Sequence, residues 1–302
     1  MKINQLKNLL NDFGEDVKFN FDLKKKNWFN IGGKSKVFFK AVNLKNLVNF
    51  LKKLNNQEKI FILGAGSNLL ITDNIFDGVV IKLGKDFNNI SCLNDDILIA
   101  GSGVLDKSLS EFAMNNNLSG FEFLSCIPGT VGGGIKMNAG CFGKEFKDIL
   151  LSVQAIDKSG NVITIPKKDI LFDYRKNNLS SDLIFLSASF KGKKSNSLKI
   201  KKEINMLMAK KNKNQPTKIK TSGSTFKNPI DQTKKKVWQL IEESVSLDKS
   251  FGDACISKKH CNFFVNKGNA SFKDMLQLIN FVSEKVLEKT GISLEKEIKI
   301  LE

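Results

Sequence analysis

Ile127-Pro-Gly-Thr-Val-Gly-Gly-Gly-Ile-Lys-Met-Asn-Ala-Gly-Cys-Phe-Gly143 is the stretch on which the reading of this chain turns. It gathers Gly129, Gly132, Gly133, Gly134, Gly140 and Gly143 in a protein with 22 glycines over 302 residues. Glycine has no Cβ, so its backbone N–H can come close to a ligand, and a run of such groups makes a concave nest for an anion. Pro128, Gly129, Thr130, Gly132, Gly133, Asn138 and Gly140 are the candidate contacts on this loop. A second turn, Leu63-Gly-Ala-Gly-Ser-Asn-Leu69, follows the apolar run Ile60–Leu63, a strand feeding a glycine turn. Two such loops in one chain point to a dinucleotide held between them, with Gly64, Ala65, Gly66, Ser67, Asn68 and Leu69 on the second. A tight turn with no ligand is the competing explanation for either loop alone. Neither is the Rossmann fingerprint, because Gly64-Ala-Gly66 is followed at position 69 by leucine, not a third glycine.

Further blocks make the pattern specific. Asn27-Trp-Phe-Asn-Ile-Gly-Gly33, Leu63–Leu70 and Gly120-Phe-Glu-Phe-Leu-Ser-Cys-Ile-Pro-Gly-Thr-Val-Gly-Gly-Gly134 resemble the UDP-N-acetylenolpyruvoylglucosamine reductase family. So do Met137-Asn-Ala-Gly140, Tyr174-Arg175, Gly223-Ser-Thr-Phe-Lys-Asn-Pro229 and Leu294-Glu-Lys-Glu-Ile298, in the family's order and over nearly the whole chain. The resemblance implies an α+β protein with an FAD-binding region of the vanillyl-alcohol-oxidase/PCMH-like type. That region is expected over residues 1–195, as two α+β subdomains of about 1–85 and 86–195, with a substrate-binding α+β domain over 196–302. The polar segment Lys191–Ser197 agrees with a boundary near residue 195.

The implied reaction reduces the enolpyruvyl ether on UDP-N-acetylglucosamine to UDP-N-acetylmuramate, with NADPH reducing FAD first. Negative charge develops beside the substrate carboxylate, so the site needs a cation or donors aimed at an enolate, and an acid to deliver a proton. The motifs assign Arg175 to the carboxylate and enolate, Ser224 to proton donation and Glu297 to polarising the enolate. Glu295 is expected on the same strand face as Glu297. Tyr174, Lys227 and Asn228 are substrate-binding candidates, and Ile31, Gly32 and Gly33 join the glycine loops as FAD-binding candidates. Trp28 and Ala65 depart from the family's usual residues at flavin-contacting positions. With no tyrosine after Tyr174, the chain fits the branch that lacks a tyrosine-bearing loop.

Composition narrows the alternatives. A formal charge of +17 invites a nucleic-acid reading, but of 48 basic residues one alone is arginine, the lysines are scattered, and few aromatics stand among them. That is the mark of a Lys- and Asn-favouring codon bias. In such a chain the lone Arg175 stands out as a residue kept for planar carboxylate recognition, against chance survival or a structural ion pair. His260, the only histidine, and Tyr174, the only tyrosine, stand out likewise, though the Lys-His pair before Phe-Phe-Val reads as structural. Five cysteines without a C-x-x-C pair predict free or buried thiols and no metal site. No apolar run reaches membrane length and no signal segment opens the chain, so a cytoplasmic enzyme is expected. Its partners are then a UDP-sugar and NADPH, with no nucleic acid and no membrane. A flavin-dependent oxidase on the same fold is the second reading, and a basic nucleic-acid-binding protein the third. A histidyl-linked flavin is ruled out in the FAD region, where there is no histidine.

Periodicity places helices over 2–12, 44–54, 106–116, 198–213 and 271–289, the last opened by a Ser271–Asp274 capping box and closed at Gly291. A hairpin is predicted through Lys158-Ser-Gly160, and a closing strand over 292–301.

Overall fold

A computed structural model describes residues 3–54 and 58–302, with the side chains of residues 3–7 left out. The chain is α+β and forms two compact units. One comprises residues 1–19, 37–65 and 77–211; the other comprises 20–36, 66–76 and 212–302. These units do not follow a linear cut near residue 195. Two early segments pack with the C-terminal part, and the helix Ser197–Asn214 runs across the last boundary.

The first unit holds two cores. One surrounds the helix Leu44–Lys53, which Asn43 caps by accepting the Asn46 N–H at 2.8 Å. Leu47, Phe50 and Leu51 bury one face of it, and Phe50 stacks on Phe39 of the strand Lys34–Ala41 with ring centroids 3.7 Å apart. The strand Phe76–Leu83 completes this core, pairing in parallel with Ile60–Ile62. The second core lies on an antiparallel sheet in the order Val162–Pro166, Leu150–Ile156, Ile184–Lys191, Ile97–Gly101, Ile90–Asn94. The predicted hairpin is its first pair, with Gly160 left-handed in the turn. The N-terminal helix is observed as Ile3–Phe13; Lys2 and the side chains of Ile3 and Leu6 lie outside the described residues.

In the other unit the helix Phe272–Thr290 has the expected capping box, with Asp274 N–H on Ser271 Oγ at 3.1 Å and Gly291 left-handed at its end. Met275, Leu278, Ile279, Val282 and Val286 bury its apolar stripe against the helix Val237–Ser244 and the strands Ala254–Ile256 and Phe264–Asn266. Side chains of this size stabilise by about 1.5–3 kcal/mol each when fully buried. No helix among the described residues is long and apolar enough to cross a membrane.

Two expectations need correction. The closing strand is Lys299–Leu301, paired in parallel with Leu69–Ile71, and does not begin at 292. The N–H groups of Glu297 and Ile298 both reach Thr225 O, at 2.8 and 3.4 Å, so two consecutive donors share one acceptor and the ladder stops there. The alternation argument for Glu295 and Glu297 therefore does not hold. The glycine loop, for its part, contains a short helix, Val131–Lys136. Three successive glycines oppose a helix on propensity, and packing overrides it: a Cβ on residue 134 would lie 2.2 Å from Phe146 Cε2.

Candidate active site

The first unit carries the glycine helix and the lone arginine as one assembly. Thr130 N-caps the Val131–Lys136 helix by backbone only, and Gly132 N–H donates to Ser102 O at 2.9 Å. Gly129 O accepts the Asp106 N–H, Thr130 O the Gly134 N–H, and Gly133 O the Met137 N–H. The N–H groups of Gly129, Thr130 and Gly133 have no partner among the described residues. These three donors follow Pro128 and suit an anionic group. On the other loop Gly64 packs against Thr130, since a Cβ there would lie 2.8 Å from Thr130 Oγ1, and its carbonyl accepts the Lys82 ammonium. Ala65 is the last residue of this segment.

Asn138, a cofactor candidate, also has partners within the protein. It is fully buried and left-handed, with φ 39°. Its amide donates to Glu145 Oε2 at 3.0 Å and to Asp173 O at 3.1 Å, while its oxygen accepts the Lys147 N–H at 3.1 Å. Asn177 likewise ties the hairpin to the glycine helix through Ile135 O at 2.8 Å. The hairpin pairs Phe172–Asp173 with Lys176–Asn177, leaving Tyr174 and Arg175 as its two turn residues. Arg175 is left-handed there, φ 59°, a strain of about 1–2 kcal/mol for a non-glycine residue. Its Nη2 donates to Gly140 O at 3.2 Å, Nη1 lies 3.9 Å from Glu145 Oε1, and Cζ sits 4.8 Å over the Tyr174 ring. A strained backbone held by this many contacts is typical of functional positions.

Three features of this unit had no signal in the sequence. Glu145 braces both Asn138 and Arg175 and also opens the short helix Phe146–Ile149. Asp106 is wholly buried beside Gly129, and neither carboxyl oxygen has a hydrogen-bond partner among the described residues. Burial pushes its pKa well up, toward the neutral acid. Cys126 is buried with Met208 Sδ 3.8 Å from its Sγ, and its carbonyl accepts the Lys211 ammonium at 2.8 Å.

In the second unit the motif residues also come together. Gly33 N–H donates to Thr72 O at 2.7 Å, Ile31 O accepts the Asn27 amide at 2.7 Å, and Gly32 lies against Ile71. Gly66, with φ +70°, passes so close to Lys26 that a Cβ would lie 2.1 Å from its carbonyl oxygen. Its own carbonyl accepts the Trp28 N–H at 3.0 Å, which is the backbone part Trp28 plays here. Ser67 follows half-buried. Asn68 donates to Glu297 O at 3.1 Å and accepts the Lys299 N–H at 3.0 Å, and Leu69 O accepts Ser222 Oγ at 2.9 Å.

Ser224 bridges to Phe263, and Phe226 to Lys296, so the Gly223–Pro229 segment lies between the 262–263 turn and the C-terminal stretch. Asn262 fixes it by accepting the Phe226 N–H at 3.0 Å and donating to Phe226 O at 2.9 Å. Ser224 and Glu297 are both half-buried. Lys227, only 8% exposed, donates to Glu295 Oε1 at 2.6 Å, so the second glutamate serves the lysine. Asn228 Oδ1 accepts the Val237 N–H at 3.1 Å and anchors the following helix. His260 packs 4.8 Å from the Phe263 ring with Nδ1 buried and unpartnered among the described residues, and burial lowers its pKa.

Comparison with known proteins bears on both units. Residues 35–166 match the model of an FAD binding domain, and residues 215–301 that of the UDP-N-acetylenolpyruvoylglucosamine reductase C-terminal domain. The chain is 65% identical to a UDP-N-acetylenolpyruvoylglucosamine reductase of Pelagibacter ubique, over the full length of both. It is 47% identical to the protein of that name from Rickettsia bellii, covering 92% of this chain and 91% of the relative. Among solved structures it is similar to UDP-N-acetylenolpyruvylglucosamine reductase from Thermus caldophilus, with TM-score 0.81, 30% identity, and 95% and 98% of the two chains covered.

Proposed function

This chain belongs to the UDP-N-acetylenolpyruvoylglucosamine reductase family, and from that premise we propose that Arg175, Ser224 and Glu297 carry its chemistry. It is an FAD-dependent oxidoreductase that reduces the enolpyruvyl ether of UDP-N-acetylglucosamine in peptidoglycan precursor synthesis, with NADPH as hydride donor.

The N–H groups of Gly129, Thr130 and Gly133, without partners among the described residues, fit the pyrophosphate of FAD, and Ile31, Gly32, Gly33, Gly64, Ala65, Gly66, Ser67, Asn68 and Leu69 are proposed as further cofactor residues. When bound, FAD supplies the hydride that the double bond of the substrate accepts. Asn138 and Gly140 are proposed as cofactor residues of that loop, and both also hold the arginine hairpin.

Arg175 grips the substrate carboxylate with its planar fork and stabilises the negative charge that grows on the adjacent carbon. The observation that carries this assignment is the left-handed arginine, held by Gly140 O and the Tyr174 ring with Glu145 beside it. A guanidinium fixed before substrate arrives needs little reorganisation when charge develops. Ser224 Oγ delivers the proton to that carbon, and Glu297 polarises the enolate from the neighbouring backbone stretch. Lys227 faces the anionic diphosphate or sugar with Glu295 as counter-charge, Asn228 sets the turn that follows, and Tyr174 packs beside Arg175. The partners are small molecules, a UDP-sugar and NADPH; we propose a cytoplasmic setting and no nucleic-acid role.

Anaerobic NADPH consumption by the purified, FAD-loaded protein, with and without UDP-N-acetylenolpyruvoylglucosamine, tests this function. Sustained turnover is expected only with that substrate. A yellow protein that ignores it would point to an oxidase on the same fold instead.

A further inference from the structure

Lys227 and Glu295 form an unequal ion pair. The lysine side chain is 9% exposed and the glutamate side chain 73%, with Nζ 2.6 Å from Oε1. A buried ammonium needs a counter-charge, because an unpaired ion out of water is costly. Among the described residues, Glu295 is the one carboxylate that supplies it. The glutamate has no such need, since most of its side chain stays in water. One partner is held by burial and the other is free to turn.

The backbone beneath both residues is fixed. Lys227 N–H donates to Glu295 O at 2.9 Å, and Phe226 bridges to Lys296. Leu294 is buried, and Ser293 exchanges bonds with Gln232, its N–H reaching Oε1 at 3.0 Å and its carbonyl accepting Nε2 at 2.9 Å. Glu295 can therefore leave Lys227 by rotating its own side chain, with the backbone in place. Opening an ion pair whose acid is exposed costs little.

We propose that Glu295 sets the affinity of this site for the diphosphate of the UDP-sugar. Its carboxylate pairs with Lys227 before substrate arrives, then swings into water as the diphosphate takes its place. This rests on the reading that Lys227 meets the substrate diphosphate. The ammonium stays paired throughout, with a carboxylate first and phosphate oxygens afterwards. The exchange also weakens binding, because an ion pair must open and the displaced carboxylate stays near a like charge. Substrate and product carry the same diphosphate, so both are weakened alike and the product is released more readily.

Calorimetric titration of UDP-N-acetylglucosamine into the full-length, FAD-loaded protein tests the exchange. This probe has the diphosphate and lacks the enolpyruvyl carboxylate, so the readout does not depend on Arg175. Glu295→Gln should tighten its binding about threefold to tenfold, as for loss of one exposed ion pair and one like-charge contact. Uridine, which has no phosphate, should bind wild type and Glu295→Gln equally. Lys227→Met should weaken the UDP-sugar, and in that background Glu295→Gln should gain less than about twofold, since the pair is already gone. Unchanged or weaker binding in Glu295→Gln, with Lys227→Met still weakening it, would overturn the proposal and make Glu295 a fixed support for the lysine. Wild-type affinity in Lys227→Met would instead remove Lys227 from the diphosphate, and the exchange with it.

Discussion

Arg175 and the Ser224–Glu297 pair are held by different means. Arg175 is fixed through side chains: Asn138, Glu145, Asn177 and Tyr174 all brace its hairpin or its guanidinium, and its backbone is strained. Ser224 and Glu297 are fixed mainly through backbone, by the bridge to Phe263 and the Glu297 N–H on Thr225 O, with one side chain, Asn262, clasping Phe226. The difference follows from the chemistry asked of each. A charged group must be desolvated and aimed before substrate arrives, which takes a dedicated polar shell. A hydroxyl or carboxyl that handles one proton needs only its place in the chain and some freedom to turn.

The largest effect expected from this contrast is at Arg175. Arg175→Lys should lose roughly as much substrate-dependent turnover as Arg175→Ala, about 10²–10³-fold as for removal of one oxyanion donor, because lysine lacks the planar fork. Steady-state kinetics checks it; Arg175→Lys close to wild type would break the bidentate argument.

Glu145→Gln keeps the side chain's shape and its bond to Asn138 but removes its charge beside Arg175. A fall of about tenfold in kcat/KM is expected, corresponding to about 1.4 kcal/mol of positioning. NADPH-driven flavin reduction should be unchanged, and an unaltered kcat/KM would place the bracing elsewhere.

Stability should show two smaller effects of opposite pH sense. Asp106 has a folded pKa raised by burial, so its contribution is intact at acid pH and is lost as pH rises above the ordinary carboxylate range, where only the unfolded chain ionises. Asp106→Asn should therefore leave Tm nearly unchanged at pH 4.5 relative to wild type and raise it at pH 8, the gain approaching about 1.4 kcal/mol per pH unit at most. Equal shifts at both pH values would mean that the carboxyl is already charged in the fold.

His260 runs the other way. Its folded pKa is lowered by burial, so protonation of the unfolded chain withdraws stability as pH falls through the ordinary histidine range. Thermal melts from pH 7.5 to 5.5 should fall more steeply for wild type than for His260→Phe, and parallel slopes would remove His260 as the cause.

What the sequence made legible was whatever is written locally. The capping box at Ser271, the stop at Gly291 and the Gly160 turn each depend on neighbouring residues and appear as read. The bias toward lysine made Arg175 conspicuous, and motif order brought Ser224 and Glu297 into view. Long-range packing was hidden. Nothing around Gly132-Gly-Gly134 announces a helix, because its cause is the Phe146 ring arriving against Gly134. The bonds of Asn138 to Glu145 and Asp173 were equally hidden, since they span 7 and 35 positions of sequence. The closing strand was drawn too long because the double use of Thr225 O depends on a segment some seventy residues earlier.

The division of labour is tested most directly by anaerobic stopped-flow measurement of both half-reactions in Ser224→Ala. The account predicts flavin reduction by NADPH at the wild-type rate, and reoxidation by the enolpyruvyl substrate slowed about 10²–10⁴-fold, the usual worth of a positioned acid. Equal slowing of the two half-reactions, or reoxidation as fast as wild type, would contradict it.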